Sequence, residues 1–212
     1  MYYIKLLSNF NEIEDILEPS VKYRMAYVKR EFQLQSKTSI QQAKWLNENC
    51  MPSFKEQIDV AIMATASQFF FLMALMGAGQ VVNNEAFEWA HNMPDMSHAT
   101  AEIGRFINDI AAYKLGKCKN DAPSAVECYM KEYGMTGEEA MAAVAEMIEQ
   151  AWRRMNRAYM ELKGTLKPAA QCLLNLGRSF ETFYLHGSKD GLTYGRDVKE
   201  LITLYFLKEV HV

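Results

Sequence analysis

The sequence predicts an all-α fold, and two kinds of observation support this prediction. Ser53 with Glu56, and Thr136 with Glu139, form the Ser/Thr-x-x-Glu pattern of a helix capping box. Apolar residues recur at helical spacing, and no segment keeps up the alternation typical of a β-strand. With 212 residues, 50% of them hydrophobic, the chain is long enough to bury a sizeable core. We therefore expect one helical domain over residues 1–212.

The N-terminal third predicts two long helices. Pro19 fits the first turn of a helix that continues toward Asn49, because proline lacks the N–H group that a helix interior needs. Ser53 begins a second, apolar helix that ends near Gly77. Within it, the run Val60–Ala78 is interrupted by polar residues and a glycine, so we expect a buried helix and no membrane span.

The rest of the sequence predicts six further helices, some short and some long. Asn83 caps a short helix that stops before Pro94, and the next helix spans about Asp95 to Gly116. Asp121 is expected to cap a helix over residues 122–133. Three more helices follow: from Thr136 toward Lys163, from Pro168 to about His186, and from the glycine-containing loop 186–195 to about Leu207.

Charge, the N-terminal segment and cysteine spacing argue against several classes of function. A formal net charge of −3 gives no excess of cations for binding nucleic acid. The acidic N-terminal segment resembles neither a transit peptide nor a secretion signal, so a cytoplasmic protein is expected. Widely spaced cysteines without a Cys-x-x-Cys pair argue against a zinc site or a disulfide framework. These cysteines are Cys50, Cys118, Cys128 and Cys172.

The segment that begins at Arg105 is the most informative part of the chain. Asn108, Ala112 and Gly116 are spaced i, i+4, i+8, so they lie along one face of a helix. A polar stripe on an otherwise apolar helix must face water, a partner or a polar cavity. From the residues alone, a solvated stripe with an Arg105–Asp109 ion pair is the simplest interpretation.

This segment resembles the second metal-binding motif of plant class I terpene synthases, Arg-x-x-Asn/Asp-Asp-x-x-Ser/Thr/Gly-x-x-x-Glu. Four further strings resemble segments of the same family in the same order. They are QAKWLNENCMPSFKEQIDVA (42–61), NNEAFEWA (83–90), SAVECYMKEYGMTGEEA (124–140) and KDGLTYGRDVKELI (189–202). The family's first metal motif, Asp-Asp-x-x-Asp, has no counterpart, because the sequence contains no Asp-Asp pair. The resemblance implies a partial class I terpenoid synthase bundle that lacks the helices carrying that box.

The resemblance implies a terpene synthase-like activity, in which a prenyl diphosphate, first of all farnesyl diphosphate, becomes a cyclic terpene through a carbocation. In the family the motif holds magnesium against the diphosphate. Here only Asn108, with Asp109 beside it, offers a donor, since Ala112 and Gly116 occupy the other positions. The family counterpart of Arg105 contacts the diphosphate, a role that suits a permanent, planar cation.

The resemblance also implies catalytic roles near the C-terminus. The family's Asp-Gly-aromatic-Thr loop caps the cavity, and its aspartate and a nearby tyrosine lie close to the carbocation. Asp190 and Tyr184 match these by position, whereas Leu192 replaces the aromatic residue and Tyr194 follows two positions later. From the residues alone, an ordinary Asp-Gly turn and a buried tyrosine fit equally well.

Other candidates are weaker. Trp45 and Phe70, with neighbouring aromatic and methionine residues, are candidate substrate contacts in an apolar pocket, although such side chains more often belong to a core. Asp121 and Glu127 are alternative oxygen donors after the motif helix, without further support from the sequence. His91 and His98 lack a third donor, so no metal site is expected at these histidines.

Three hypotheses remain open from the sequence. The chain is a shortened, magnesium-dependent terpene synthase, a non-catalytic remnant or interaction module, or a metal-independent scaffold that binds or cyclises a lipophilic ligand. In each case a partial bundle exposes the apolar faces of its helices. We therefore expect a homo-oligomer, or a partner chain that covers the exposed face.

Overall fold

The computed structural model describes residues 2–78, 82–92, 94–116, 121–184, 189–192 and 195–207. These residues form ten α-helices with short 3₁₀ turns between them and no strand, which confirms the all-α prediction. The helices are α1 (Tyr2–Ile16), α2 (Arg24–Asn47), α3 (Phe54–Ala64), α4 (Ser67–Gly77), α5 (Asn84–His91), α6 (Asp95–Lys114), α7 (Ala125–Tyr133), α8 (Gly137–Glu161), α9 (Lys167–Tyr184) and α10 (Lys199–Leu207).

Helix α6 lies at the centre of the bundle. It packs mainly against α8 and α9 and also touches α3, α4 and α7. Its apolar side chains, among them Ile103, Phe106 and Ile107, are buried in the main core. The absence of a side chain at Gly104 lets α9 approach closely, because a Cβ there would lie 2.6 Å from the ring of Phe180. The central position of α6 fixes the polar residues near its C-terminal end.

Helix caps are well predicted by the sequence. The Ser53 and Thr136 side chains accept hydrogen bonds from the Glu56 and Glu139 amides, and each glutamate bonds back to the cap. Asn83 accepts a hydrogen bond from the amide of Ala86 at 2.8 Å. These local motifs need no tertiary contact, which explains why their positions can be read from the sequence.

The predicted single helix after Ser53 is wrong, because the chain breaks between α3 and α4. Ala66 has φ +58°, and the hydroxyl of Thr65 donates to the carbonyl of Ile62 and accepts from the amide of Ser67. The stretch Phe54–Gly77 is long and apolar enough to cross a membrane by length and composition alone, which is weak support for a span. The break leaves two helices of 11 residues each, too short to span a bilayer singly.

Three other boundaries differ from the prediction. Pro19 belongs to a 3₁₀ turn, and α2 begins only at Arg24. Helix α1 was not predicted at all. Ser124, and not Asp121, caps α7, because Ser124 and Glu127 form a complete capping box.

Candidate functional site

The polar residues of α6 meet the C-terminal end of α9. Ala101, Arg105, Asn108 and Ala112 are spaced by three or four residues, so they share one face of α6. The amide nitrogen of Asn108 donates a hydrogen bond to the hydroxyl of Tyr184, the last residue of α9, at 3.1 Å. The structure thus brings the candidate motif and the candidate tyrosine together across 76 residues of sequence.

Arg105 and Asp109 form the predicted ion pair, but it is buried and not solvated. The Nη2 atom of Arg105 lies 2.6 Å from Oδ1 of Asp109, and the two side chains are 18% and 1% exposed. The other oxygen of Asp109 accepts a hydrogen bond from the amide of Ala125, the first residue of α7, at 2.6 Å. Both contacts are charge-assisted, and the carboxylate also lies at the positive end of α7. Asp109 therefore holds the guanidinium of Arg105 in place and connects the start of α7 to α6.

One donor of the guanidinium remains available. The Nε atom of Arg105 is buried and has no hydrogen-bond partner within the described part of the chain. A buried donor without a partner costs free energy unless a ligand or water accepts from it. This nitrogen is therefore available to donate to a ligand or a water molecule near the motif; the Nε atom of Arg24, on α2, is likewise buried without a partner among the described residues.

Tyr184 and Asp190 form the other side of the cluster. Tyr184 is 2% exposed and Asp190 is 4% exposed. Burial, and next the charge of Asp190, raise the pKa of Tyr184 to about 12. The phenol therefore stays protonated under ordinary conditions and can donate or accept a hydrogen bond without ionising.

Backbone hydrogen bonds to the end of α9 hold the turn at 190–192 next to Tyr184. The amides of Lys189 and Gly191 donate to the carbonyls of Tyr184 and Phe183, at 3.1 and 2.9 Å. A Cβ at Gly191 would lie 2.8 Å from the Phe183 carbonyl oxygen, so the turn requires glycine at this position. Leu192 is 64% exposed. The remaining loop residues named in the prediction, Thr193 and Tyr194, lie outside the described residues.

The second motif does not provide a complete magnesium site. Helix α6 ends at Lys114, and Gly116 follows it in an exposed, left-handed conformation (φ +70°), so the prediction that this position lies on the helix is wrong. Ala112 offers no donor, and both oxygens of Asp109 have protein partners. Among the described residues no group of three His, Cys, Asp or Glu side chains is placed to hold a metal ion. Asn108 alone does not fit the ligand requirement of magnesium.

The remaining candidates belong to other helices or to the segment before α7. Trp45 is 8% exposed near the end of α2, and Phe70 is 57% exposed on α4. No hydrogen bond or ring contact between described residues joins either one to Arg105 or Tyr184. The Glu127 carboxylate bonds to its own cap, Ser124, and Asp121 is exposed.

The two histidines have separate surroundings. His91 stacks on Tyr27 with ring centroids 3.9 Å apart, and His98 pairs with Glu102 at 2.9 Å.

Glu31 is a buried acidic residue that the sequence reasoning missed. It is 8% exposed and lines a small cavity beside Ala101 of α6. The signal was available, since Glu31 continues the buried stripe of Met25 and Val28 at a spacing of three residues. An acidic side chain on the apolar face of a helix indicates either a partner or a function.

Most of the chain matches a known protein family. The model of the terpene synthase family, metal binding domain, matches residues 1–154. A eudesmanediol synthase of Zea mays is 48% identical over 210 residues, 99% of this chain and 38% of the relative. A tau-cadinol synthase of Zea mays is 35% identical over 99% of this chain and 38% of the relative. The chain therefore spans about two fifths of the length of these curated relatives.

Solved structures show the same fold. Abietadiene synthase from Abies grandis superposes with a TM-score of 0.82 over 99% of this chain and 27% of its own, at 21% identity. Isoprene synthase from grey poplar (Populus x canescens) superposes with a TM-score of 0.80 over 99% of this chain and 39% of its own, at 22% identity. At these identities the likeness concerns the arrangement of helices alone.

Proposed function

Because this chain belongs to the terpene synthase family, we propose that it forms one wall of a pocket in which a prenyl diphosphate is ionised and cyclised. Farnesyl diphosphate is the substrate we favour, since the curated relatives include synthases named for the sesquiterpenes germacrene A and α-humulene. The observation that carries the proposal is the unpartnered, buried Nε of Arg105 on the polar face of α6.

Arg105 is the proposed contact for the diphosphate. Asp109 holds one end of its guanidinium at 2.6 Å, which leaves the buried Nε to donate to an anionic oxygen. A guanidinium fixed in advance loses little side-chain entropy when the anion binds. Its charge also stabilises the leaving diphosphate as the carbon–oxygen bond breaks.

Tyr184 and Asp190 are the proposed groups near the carbocation. The protonated Tyr184 presents an oxygen lone pair without adding a charge, and the buried Asp190 carries a negative charge nearby. Two relatives are named for alcohols, eudesmanediol and tau-cadinol. We therefore expect oxygenated products as well as hydrocarbons.

Two positions of the metal-binding motif carry no oxygen donor. This favours a second candidate function, a non-catalytic module that associates with other terpene synthase chains. Ala112 and Gly116 provide no donor, and Asp109 is bound by Arg105 and α7. Without magnesium at these positions, ionisation loses a large part of its electrostatic stabilisation, on the order of several kcal/mol. A metal-independent scaffold for a lipophilic ligand is the third candidate.

Product analysis separates the first candidate from the others. Purified chain is incubated with farnesyl or geranyl diphosphate and magnesium, and the volatiles are identified by gas chromatography and mass spectrometry. Arg105→Ala is expected to abolish product, whereas Lys114→Ala, which removes an exposed cation from the same helix, is expected to leave it unchanged. No product from the wild-type chain at high loading would overturn catalysis.

Two further measurements address the other candidates. Co-purification with a full-length terpene synthase supports the module, and the absence of any such complex counts against it. A thermal shift with terpenoids in metal-free buffer supports the scaffold, and the absence of a shift across the panel excludes it.

A further inference from the structure

An ion network joins the first half of α6 to α8. The Nδ1 atom of His98 lies 2.9 Å from Oε1 of Glu102, one helical turn further along α6. The other oxygen of the Glu102 carboxylate accepts from Nη2 of Arg154, which lies on α8. The Nη1 atom of Arg154 lies 3.5 Å from a carboxylate oxygen of Asp95, the first residue of α6. One carboxylate of α6 thus binds a side chain of its own helix and a cation of the facing helix.

The four side chains differ in their exposure to solvent. The Glu102 side chain is 14% exposed, whereas those of His98, Arg154 and Asp95 are 45%, 40% and 61% exposed. A charge that is shielded from water interacts more strongly with its neighbours, because the solvent screens it less. Glu102 is therefore the centre of the ion network, and it is the group most affected when a neighbour changes its charge.

His98 is the member of the ion network whose charge ordinarily changes between about pH 5 and 8. Its hydrogen bond to Glu102 raises the pKa of His98, burial opposes this, and the charge of Glu102 raises the pKa further. The charge of Arg154 lowers the pKa of His98 and that of Asp95 raises it, each by less. The balance is a raised pKa, so the folded chain binds this proton more tightly than the unfolded chain does.

Helix α3 brings two more charged side chains near the ion network. Glu102 and Arg154 line a groove of about 480 Å³ between α3, α6 and α8, and Lys55 and Asp59 line its α3 side. Lys55 and Asp59 form an ion pair with each other at 2.5 Å, so α3 adds little net charge. The groove is otherwise mostly apolar, with Phe106 of α6 among its lining residues. The protonation state of His98 therefore decides the net charge on this side of the groove.

Apolar packing holds α8 on α6 independently of the ion network. Ile148, Ala151 and Met155 of α8 are buried in the same core as the apolar side chains of α6. A change of charge at His98 is therefore not expected to release α8 from the bundle. It is expected to change how firmly the turn around Arg154 is held.

We propose that His98 is a pH-sensitive link between α6 and α8: the imidazolium and Arg154 together hold Glu102, and loss of the proton loosens the Arg154 turn of α8. A proton moves between the ring nitrogen and water, and no other bond is made or broken. The neutral ring can still donate a hydrogen bond to Glu102, but Glu102 and Asp95 then share Arg154 as their one cation within the ion network. This inference does not depend on the proposed function.

The direction of the pH effect follows from the raised pKa of His98. The stabilisation is fully present below the unfolded value of about 6.5 and is lost as pH rises through the folded pKa. His91 has the opposite sign, because burial lowers its pKa in the folded chain. Its contribution opposes folding at low pH and disappears as pH rises, which makes His91 a control of opposite direction.

Thermal unfolding at one protein concentration, at about pH 5.5 and about pH 8, tests the effect on stability. The drop in Tm between the two pH values is expected to be larger by about 1–3 °C in wild type than in His98→Gln. His91→Gln should show a drop at least as large as that of wild type. Equal drops in wild type and His98→Gln would overturn the inference.

Hydrogen exchange followed by mass spectrometry tests whether α8 responds. Protection factors for residues 150–158 of wild type are expected to fall from pH 5.5 to pH 8, whereas those for residues 137–144 stay constant. Glu102→Gln, which removes the charge that both cations share, should have the lower protection of residues 150–158 at both pH values. Protection of residues 150–158 that does not change with pH in wild type would show that His98 titrates without loosening α8, and would overturn the link.

Discussion

At the scale of single residues, Asp109 resembles an acidic residue of a metal-binding motif in the sequence, but in the structure it binds protein groups. The i, i+4 spacing predicts its contact with Arg105 correctly, because the two positions are neighbours on any helix. Its burial and its bond to Ala125 depend on how α7 folds back, which no local pattern encodes. A residue that resembles a metal-motif acid is thus bound by protein groups on both oxygens.

Asp109→Ala is expected to lower the free energy of unfolding by roughly 2–4 kcal/mol, because it leaves a partly buried guanidinium and a buried amide without their partner. Urea denaturation of wild type and variant measures the difference. Asp121→Ala, which truncates an exposed carboxylate, is the control and should stay within about 0.5 kcal/mol of wild type. Equal losses in the two variants would contradict a structural role for Asp109.

The raised pKa of Tyr184 predicts that the free energy of unfolding depends on pH. Its pKa is about 12 in the folded chain and about 10 when unfolded, so the unfolded state loses the proton first as pH rises. The stabilisation of the folded chain that comes from this raised pKa is fully present below about pH 10. It is lost between about pH 10 and 12. From about pH 9 to 11, wild type should lose about 1 kcal/mol more than Tyr184→Phe in urea denaturation. Parallel losses would show that Tyr184 titrates normally.

At the scale of helices, the sequence predicts what local chemistry determines. The caps at Ser53, Asn83 and Thr136 are correct because each is satisfied within four residues. The break at Ala66 was missed, since an alanine with positive φ carries no turn signature and is held there by Thr65 and Ser67. The closeness of Asn108 to Tyr184 follows from family resemblance and not from any spacing rule.

The close contact between α6 and α9 predicts how a substitution at Gly104 changes the stability of the chain. Alanine normally stabilises a helix relative to glycine by about 1 kcal/mol. Gly104→Ala should instead destabilise the chain by roughly 1–3 kcal/mol, because its Cβ would lie 2.6–2.9 Å from the Phe180 ring. Gly77→Ala at the end of α4, with nothing within 4 Å of its Cβ, should be neutral or stabilising. Thermal unfolding checks both, and a stabilised Gly104 variant would contradict the described packing.

At the scale of the whole molecule, exposed apolar side chains are the dominant feature. Phe70, Ile202, Leu204 and Leu207 are 49–79% exposed, and three of these lie on α10. The chain also spans only 38% of its curated relatives. Surfaces of this kind in soluble proteins usually meet a partner.

Self-association is therefore expected for the isolated chain. Size-exclusion chromatography with light scattering should give a mass above that of one chain, and Leu204→Lys with Leu207→Lys should shift it toward the monomer. Met160→Lys, which changes a single exposed side chain on α8, should not. A compact wild-type monomer that melts cooperatively would exclude this surface as an interface.

The proposed function requires that the polar face of α6 binds a prenyl diphosphate. Isothermal titration calorimetry with a non-hydrolysable thiodiphosphate analogue of farnesyl diphosphate tests it without requiring turnover. We predict measurable binding to the wild-type chain, binding at least tenfold weaker in Arg105→Ala, and unchanged binding in Lys114→Ala. Equal affinity of wild type and Arg105→Ala, or no binding to the wild type, would contradict the claim.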